Sequence, residues 1–180
     1  MKPSFQQINY SLRPAKHTER RMLCDIFRKA SHFHRLSDYT YVGFGGIEFS
    51  DFILFHRSLG IREMVSIERA HQTISRIEGN KPFNTIKIVG TSSSIALPKL
   101  SWEQPHILWL DNDDPLAPNM LLDVATVANH AASGSMLAVS FQCHKAPEIQ
   151  EALDKKMNPV SKFVSNFGRD ELQPVSRTLS

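Results

Sequence analysis

Five short apolar runs, each stopped by glycine or polar residues, constrain this chain more than any other feature of it. They are Tyr39-Thr40-Tyr41-Val42, Met64-Val65-Ser66-Ile67, Thr85-Ile86-Lys87-Ile88-Val89, His106-Ile107-Leu108-Trp109-Leu110 and Met136-Leu137-Ala138-Val139-Ser140-Phe141. Runs this short, rich in β-branched and aromatic residues, read as strands. Segments with helical character separate them. Ile47 to Leu59 carries Phe49, Phe52, Ile53, Phe55 and Leu59 as core positions, and Gly60 follows as a C-cap. A short helix is expected near Ala70–Ile77, a weak helical turn over Ser92 to Leu100 stopped by Pro98, and a helix from Met120 to Ala132 before Gly134. Strands alternating with helices, and apolar on both faces, predict a mostly parallel sheet in a three-layer α/β sandwich.

The flanks divide the chain into three parts. Residues 1–36 read as an irregular arm followed, from Pro14, by an amphipathic helix whose predicted apolar face is Met22, Leu23, Ile26, Phe27, Ala30 and Phe33. Residues 37–157 form the α/β domain and include one more possible helix, Pro147 to Met157. Residues 158–180 are a polar tail. At 180 residues, a core burying about two thirds of the unfolded chain's surface needs no disulfide or metal staple. No apolar run approaches the ~18 residues of a membrane span, and the N-terminus has no secretory h-region. Cys24 and Cys143 form no paired motif, so a cytoplasmic location is expected.

Charge is uneven. Residues 1–35 hold eight Lys/Arg against two acids, a net of +6, whereas the remainder carries a net of −3. The basic segment would attract a polyanion or an acidic partner, or pair with the acidic body of its own chain.

Chemistry gathers after the strands. Gly43–Gly46, Glu68, Gly90–Ser93, Asp111–Asp114 and Gln142–His144 each follow one, and in open α/β sheets the ligand crevice lies at that carboxyl edge. Gly43 and Gly45 suit a tight strand-to-helix turn in which a ligand meets the backbone without a Cβ in the way. Glu68, 23 residues after Gly45, is placed to accept ribose hydroxyls. Asp111 could face the crevice and meet an adenine amino group, an acceptor hydroxyl or a metal, while Asp113–Pro115 also suits a turn and helix cap. The eight histidines show no ligand spacing on a helix face, so no metal site is expected.

The strand–GxGG–helix, the acid closing VSIE and the Asp after the fourth strand resemble Rossmann-like class I S-adenosylmethionine-dependent methyltransferases. More closely, NYSLRPAKHTERRM, YVGFGGIEFSDFILFHRSLGI, MVSIE, NKPF and ILWLDNDDPL, over about residues 8–143, resemble a bacterial O-methyltransferase group. The resemblance implies S-adenosylmethionine as cofactor. Gly43, Gly45 and Gly46 would line its methionine part, Glu68 its ribose, and Thr91 and Ser92 its adenine. Asp111 would meet the methionine amine or the acceptor. Asp111 and His144 are the candidate general bases for an oxygen acceptor.

The chain departs from that pattern in three ways. Tyr41 stands where an acid normally precedes the first glycine, Gly46 comes one place early, and five strands are expected instead of seven. A truncated methyltransferase-type sheet is therefore expected, acting either as a methyltransferase or as a catalytically inactive binding or regulatory module for a nucleotide-like ligand, nucleic acid or protein. A nicotinamide-dependent oxidoreductase fits less well, because the third glycine of GxGxxG and a second mononucleotide half are missing. If the fifth strand lies at an edge, its unpaired backbone predicts a homodimer.

Overall fold

The computed structural model describes residues 14–69 and 74–142. Helix α1 (Pro14–Arg28) runs into a 3-10 turn, Lys29–His32, and a second 3-10 turn, Leu36–Asp38, leads to β1 (Thr40–Gly43). There follow α2 (Ser50–Leu59), β2 (Glu63–Ile67), α3 (Ile74–Gly79), β3 (Ile86–Val89) and α4 (Ser93–Ala96) with a 3-10 turn over Leu97–Lys99. The chain then forms β4 (His106–Pro115), α5 (Pro118–His130) and β5 (Met136–Gln142).

All five strands run parallel in the order β3-β2-β1-β4-β5. β1 is central, with Val42 between Val65 of β2 and Leu108 of β4. Strand order reverses between β1 and β4, and that switch point is where an open α/β sheet forms its crevice.

The period of two along each strand sorts the core into two layers. Tyr41, Met64, Ile86, Ile107 and Trp109 face α1, α2 and α3, meeting Phe27, Phe52, Phe55 and Ile77. Val42, Val65, Ile67, Leu108 and Leu110 face the opposite side, meeting Ala96, Leu97 and Val127 of the α4–α5 layer. Edge-to-face rings bind the first layer, Tyr41 lying 4.8 Å from Phe52 and 5.0 Å from Phe55. The expected three-layer α/β sandwich is present.

Several boundaries differ from expectation. α2 starts at Ser50, three residues after Ile47, because Phe49 takes a left-handed conformation (φ 48°) that closes a turn first. Gly60 caps the helix as expected, its N–H donating to the His56 carbonyl at 3.0 Å. β4 continues through Asp111–Asp114 to Pro115 instead of stopping at Leu110, so the expected turn and cap there are replaced by strand. Its pairing with β5 shifts register between Asp111 and Pro115. α5 begins at Pro118 rather than Met120, with proline in its first turn.

The α1 face is also rotated from the predicted one. Cys24, Phe27 and Ala30 are buried, but Met22, Ile26 and Phe33 are 61%, 45% and 68% exposed. α1 carries two adjacent apolar stripes, and only the one containing Phe27 meets the sheet. The residues of the predicted N-terminal arm up to 13, Cys143, His144, the Pro147–Met157 helix and the tail lie outside the described residues, as does the start of the Ala70–Ile77 helix.

Candidate functional site

The turn after β1 is held by side chains from β2. The Gly45 N–H donates to Ser66 Oγ (3.0 Å), the Gly46 N–H donates to Glu68 Oε1 (2.9 Å), and Ser66 Oγ–H donates to the same Oε1 (2.6 Å). Both Glu68 bonds fall on one oxygen. Glu68 is buried; its burial raises the carboxyl's pKa, and the bonds from Ser66 and the glycine backbone oppose that rise. Glu68 thus ties the glycine turn after β1 to the carboxyl end of β2.

The glycines have separate reasons to be glycine. A Cβ on Gly43 would lie 2.5 Å from Tyr41 Oη, and one on Gly45 would lie 2.6 Å from the Phe49 ring and 2.7 Å from Ser66 Oγ. At these two positions the place a Cβ would take is filled by the chain's own side chains. Of the three glycines in this turn, Gly46, at φ +57°, alone has nothing within 4 Å of its absent Cβ. Gly46 is therefore where the turn is open to an approaching group. The buried Phe49 ring packs beneath the turn from its left-handed backbone, a conformation costing a bulky residue roughly 1–2 kcal/mol.

Tyr41 has a partner that sequence reasoning missed. Its hydroxyl donates to Asp51 Oδ2 at 2.5 Å, and both residues are buried. Asp51 sits in the first turn of α2, ten residues along the chain. Burial raises its pKa to about 6 against the hydrogen bond from Tyr41 and the charge of Arg20. Burial, followed by the Asp51 charge, drives the Tyr41 hydroxyl well up. An acid from α2 thus meets the tyrosine at position 41. Arg20, on α1, reaches this region with its Nε buried and without a hydrogen-bond partner. The one available signal was Tyr41 itself, a phenol in a buried strand that needs an acceptor.

Asp111, on β4, is engaged by a lysine of α1. Lys16 Nζ donates to Asp111 Oδ1 at 2.6 Å, stands 2.9 Å from Glu19 Oε2 and lies 5.3 Å from the centre of the Trp109 ring. Burial disfavours the Lys16 charge, but hydrogen bonds and charges from Asp111 and Glu19 outweigh it and raise the ammonium's pKa. Burial pushes the Asp111 carboxyl up, with Lys16 pulling against it. Trp109 Nε1–H donates to Ser140 Oγ (2.9 Å), and Ser140 Oγ–H donates to Glu19 Oε1 (3.1 Å). Part of the basic N-terminal segment thus pairs with its own chain, one of the outcomes expected from its charge.

Thr91 and Ser92 follow β3 beside Glu68, whose N–H donates to the Val89 carbonyl at 2.9 Å. The Ser92 carbonyl accepts from Ile95 (3.1 Å) and Ala96 (2.9 Å) at the start of α4. Gly43, Gly45, Gly46, Glu68, Thr91 and Ser92 therefore end or follow β1, β2 and β3 at the carboxyl edge of the sheet, whereas Asp111 lies within β4, paired with Ser140 of β5. His144 lies outside the described residues. Among those residues no helix is long and apolar enough to cross a membrane.

Comparison with known proteins adds a family and a fold. A family model described as "Putative O-methyltransferase" matches residues 8–178. No curated protein matches the chain significantly. Among solved structures, the S-adenosylhomocysteine-bound methyltransferase PaMTH1 of Podospora anserina aligns with TM-score 0.51 and 9% identity, over 82% of this chain and 62% of that one. An O-methyltransferase family protein from Burkholderia thailandensis aligns with TM-score 0.45 and 12% identity, over 86% of this chain and 47% of the other. The chain spans 62% and 47% of the lengths of these two proteins. The first likeness shows the shared fold.

Proposed function

The chain belongs to the family described as "Putative O-methyltransferase", and from that premise we propose that it moves a methyl group from S-adenosylmethionine to an acceptor. The observation that carries this reading is Glu68. It ends β2 as a buried carboxylate, tied to the open glycine turn of β1 beside the switch point of the sheet.

The residues fit the cofactor. Glu68 accepts ribose hydroxyls, while its Oε1 bonds keep the turn in place. Gly46 leaves an open approach to the backbone, and Thr91 and Ser92 border the adenine side. Asp111 is offered to the methionine ammonium or the acceptor. The bound cofactor supplies an electrophilic methyl group on a sulfonium. The protein's part is to position the acceptor in line with that methyl and keep water out. Asp111, engaged by Lys16, serves as a base only when that pair opens; His144 is the other candidate base. Calorimetry with S-adenosylhomocysteine tests the reading: Glu68→Ala should lose roughly ten- to a hundredfold in affinity. Unchanged affinity would remove Glu68 from the site.

One observation favours a second reading, a methyltransferase-like binding or regulatory module: Lys16 already fills the place beside Asp111. Binding without methyl transfer to any of a panel of hydroxylated and amino acceptors would support it. The proposal further includes a cytoplasmic bacterial setting, a polyanion or acidic partner at the basic segment, and a homodimer. Supporting the dimer, β5 pairs on one side only among the described residues, α1 exposes Met22 and Ile26, and Phe33 is exposed just beyond the 3-10 turn that follows.

A further inference from the structure

The surroundings of Lys16 are those of a bound ammonium ion. Two carboxylates approach Nζ, Asp111 at 2.6 Å and Glu19 at 2.9 Å, and the Trp109 ring centre lies 5.3 Å away. Carboxylates and an aromatic face are the groups that recognise primary ammonium. A divalent cation would call for six or more oxygen ligands, which these three side chains do not offer. Two of the walls, Trp109 and Asp111, stand on β4, while Glu19 lies on α1 three residues from Lys16. Ser140 on β5 accepts from Trp109 Nε1 and donates to Glu19 Oε1, and Asp111 is carried by β4. The occupant, by contrast, sits in the first turn of α1 on a flexible four-carbon stem, so its ammonium can withdraw without moving the helix.

We propose that Asp111, Glu19 and Trp109 form an ammonium subsite, that Lys16 is its resident occupant, and that a ligand's primary ammonium enters by displacing Lys16 Nζ. Lys16 is then an internal competitor that weakens binding of such ligands and of no others. The inference rests on the methyl-donor reading only in naming one source of that ammonium, the amino-acid end of the donor. An amine on the acceptor is the other source.

The test compares the unmutated protein with Lys16→Met by calorimetry, using S-adenosylhomocysteine and 5′-methylthioadenosine, which lacks the amino-acid end. Butylammonium, followed by NMR, serves as the bare ammonium probe. Lys16→Gln is carried in parallel, and thermal melting verifies folding of each variant. Loss of a charged, half-buried competitor should tighten S-adenosylhomocysteine roughly three- to thirtyfold, leaving 5′-methylthioadenosine within about twofold. Lys16→Met/Asp111→Asn should lose that gain. This pattern assigns the subsite to the donor. Tightening of butylammonium alone assigns it to an acceptor amine. Weaker binding of S-adenosylhomocysteine after Lys16→Met, or no tightening of either ammonium ligand, overturns the proposal. If neither nucleoside binds any variant, the methyl-donor reading fails, and butylammonium alone decides the subsite: tighter binding to Lys16→Met upholds it, and no binding overturns it as well.

Discussion

Gly43→Ala tests whether the glycine after β1 serves the chain's own packing. The added Cβ would fall 2.5 Å from Tyr41 Oη, 2.9 Å from Cζ and 3.2 Å from Cε1. Those atoms belong to a fully buried ring wedged against Phe52 and Phe55, with its hydroxyl bound to Asp51. The ring has no free direction in which to move. Overpacking of this kind costs about 1–3 kcal/mol. Breaking the Tyr41–Asp51 bond and leaving a buried carboxyl unsatisfied adds about 1–3 kcal/mol. The expected loss is on the order of 2–6 kcal/mol, or roughly 4–24 °C in melting temperature at about 2–4 °C per kcal/mol for a chain of this size. Urea denaturation with a thermal melt measures it. Gly46→Ala is the control: it meets no atom within 4 Å and should cost only the roughly 1–2 kcal/mol of a left-handed alanine. Removing the hydroxyl as well, in Gly43→Ala/Tyr41→Phe, relieves the nearest contact, so the two changes should be less damaging together than their sum. Gly43→Ala with unmutated stability, or costs that add without coupling, would refute the packing argument.

Asp51 gives the fold a pH dependence of definite sign. Its carboxyl rises from the ordinary 3.8 to about 6 on folding, so between these values the folded state holds the proton that the unfolded chain has lost. Its contribution is present below pH 4 and is lost as pH rises toward 6, on the order of 2–3 kcal/mol. The difference in stability between the unmutated protein and Asp51→Asn, followed from pH 4 to 7, should shrink or reverse over that window; parallel curves would refute it. For the basic segment, retention on heparin should fall steeply with salt, and no retention at low salt would leave its charge merely solvated or internally paired. For the side of β5 that has no partner among the described residues, light scattering should report twice 20.4 kDa at micromolar concentration, and a clean monomer would contradict the dimer.

Strand identity was legible because each buried strand is a continuous apolar run whose length excludes a helix. Ile107 to Leu110 needs no partner information to be recognised. Boundaries failed where local chemistry pointed the other way. Asp111–Asp114 has the composition of a turn, yet pairing with β5 carries the strand on to Pro115. α1 has two apolar stripes at helical spacing, and only the packing of Phe27 against Phe55, ring centres 5.4 Å apart, decides between them. The edge that collects the candidate residues was readable because every strand ends in polar or glycine residues. Their internal partners were not. Lys16 meets Asp111 across 95 residues, and Asp51 reads as an ordinary first-turn acid until Tyr41 is seen pointing at it. Contacts between distant segments depend on the packing of α1 and α2 over the sheet, which periodicity does not encode.

A crystal structure with S-adenosylhomocysteine bound tests the central claim most directly. The ribose hydroxyls should lie within hydrogen-bond distance of Glu68, with the ligand passing over Gly46 and its amino-acid end directed toward Asp111. A ligand seated elsewhere on the chain, or a ribose with no contact to Glu68, would contradict the account.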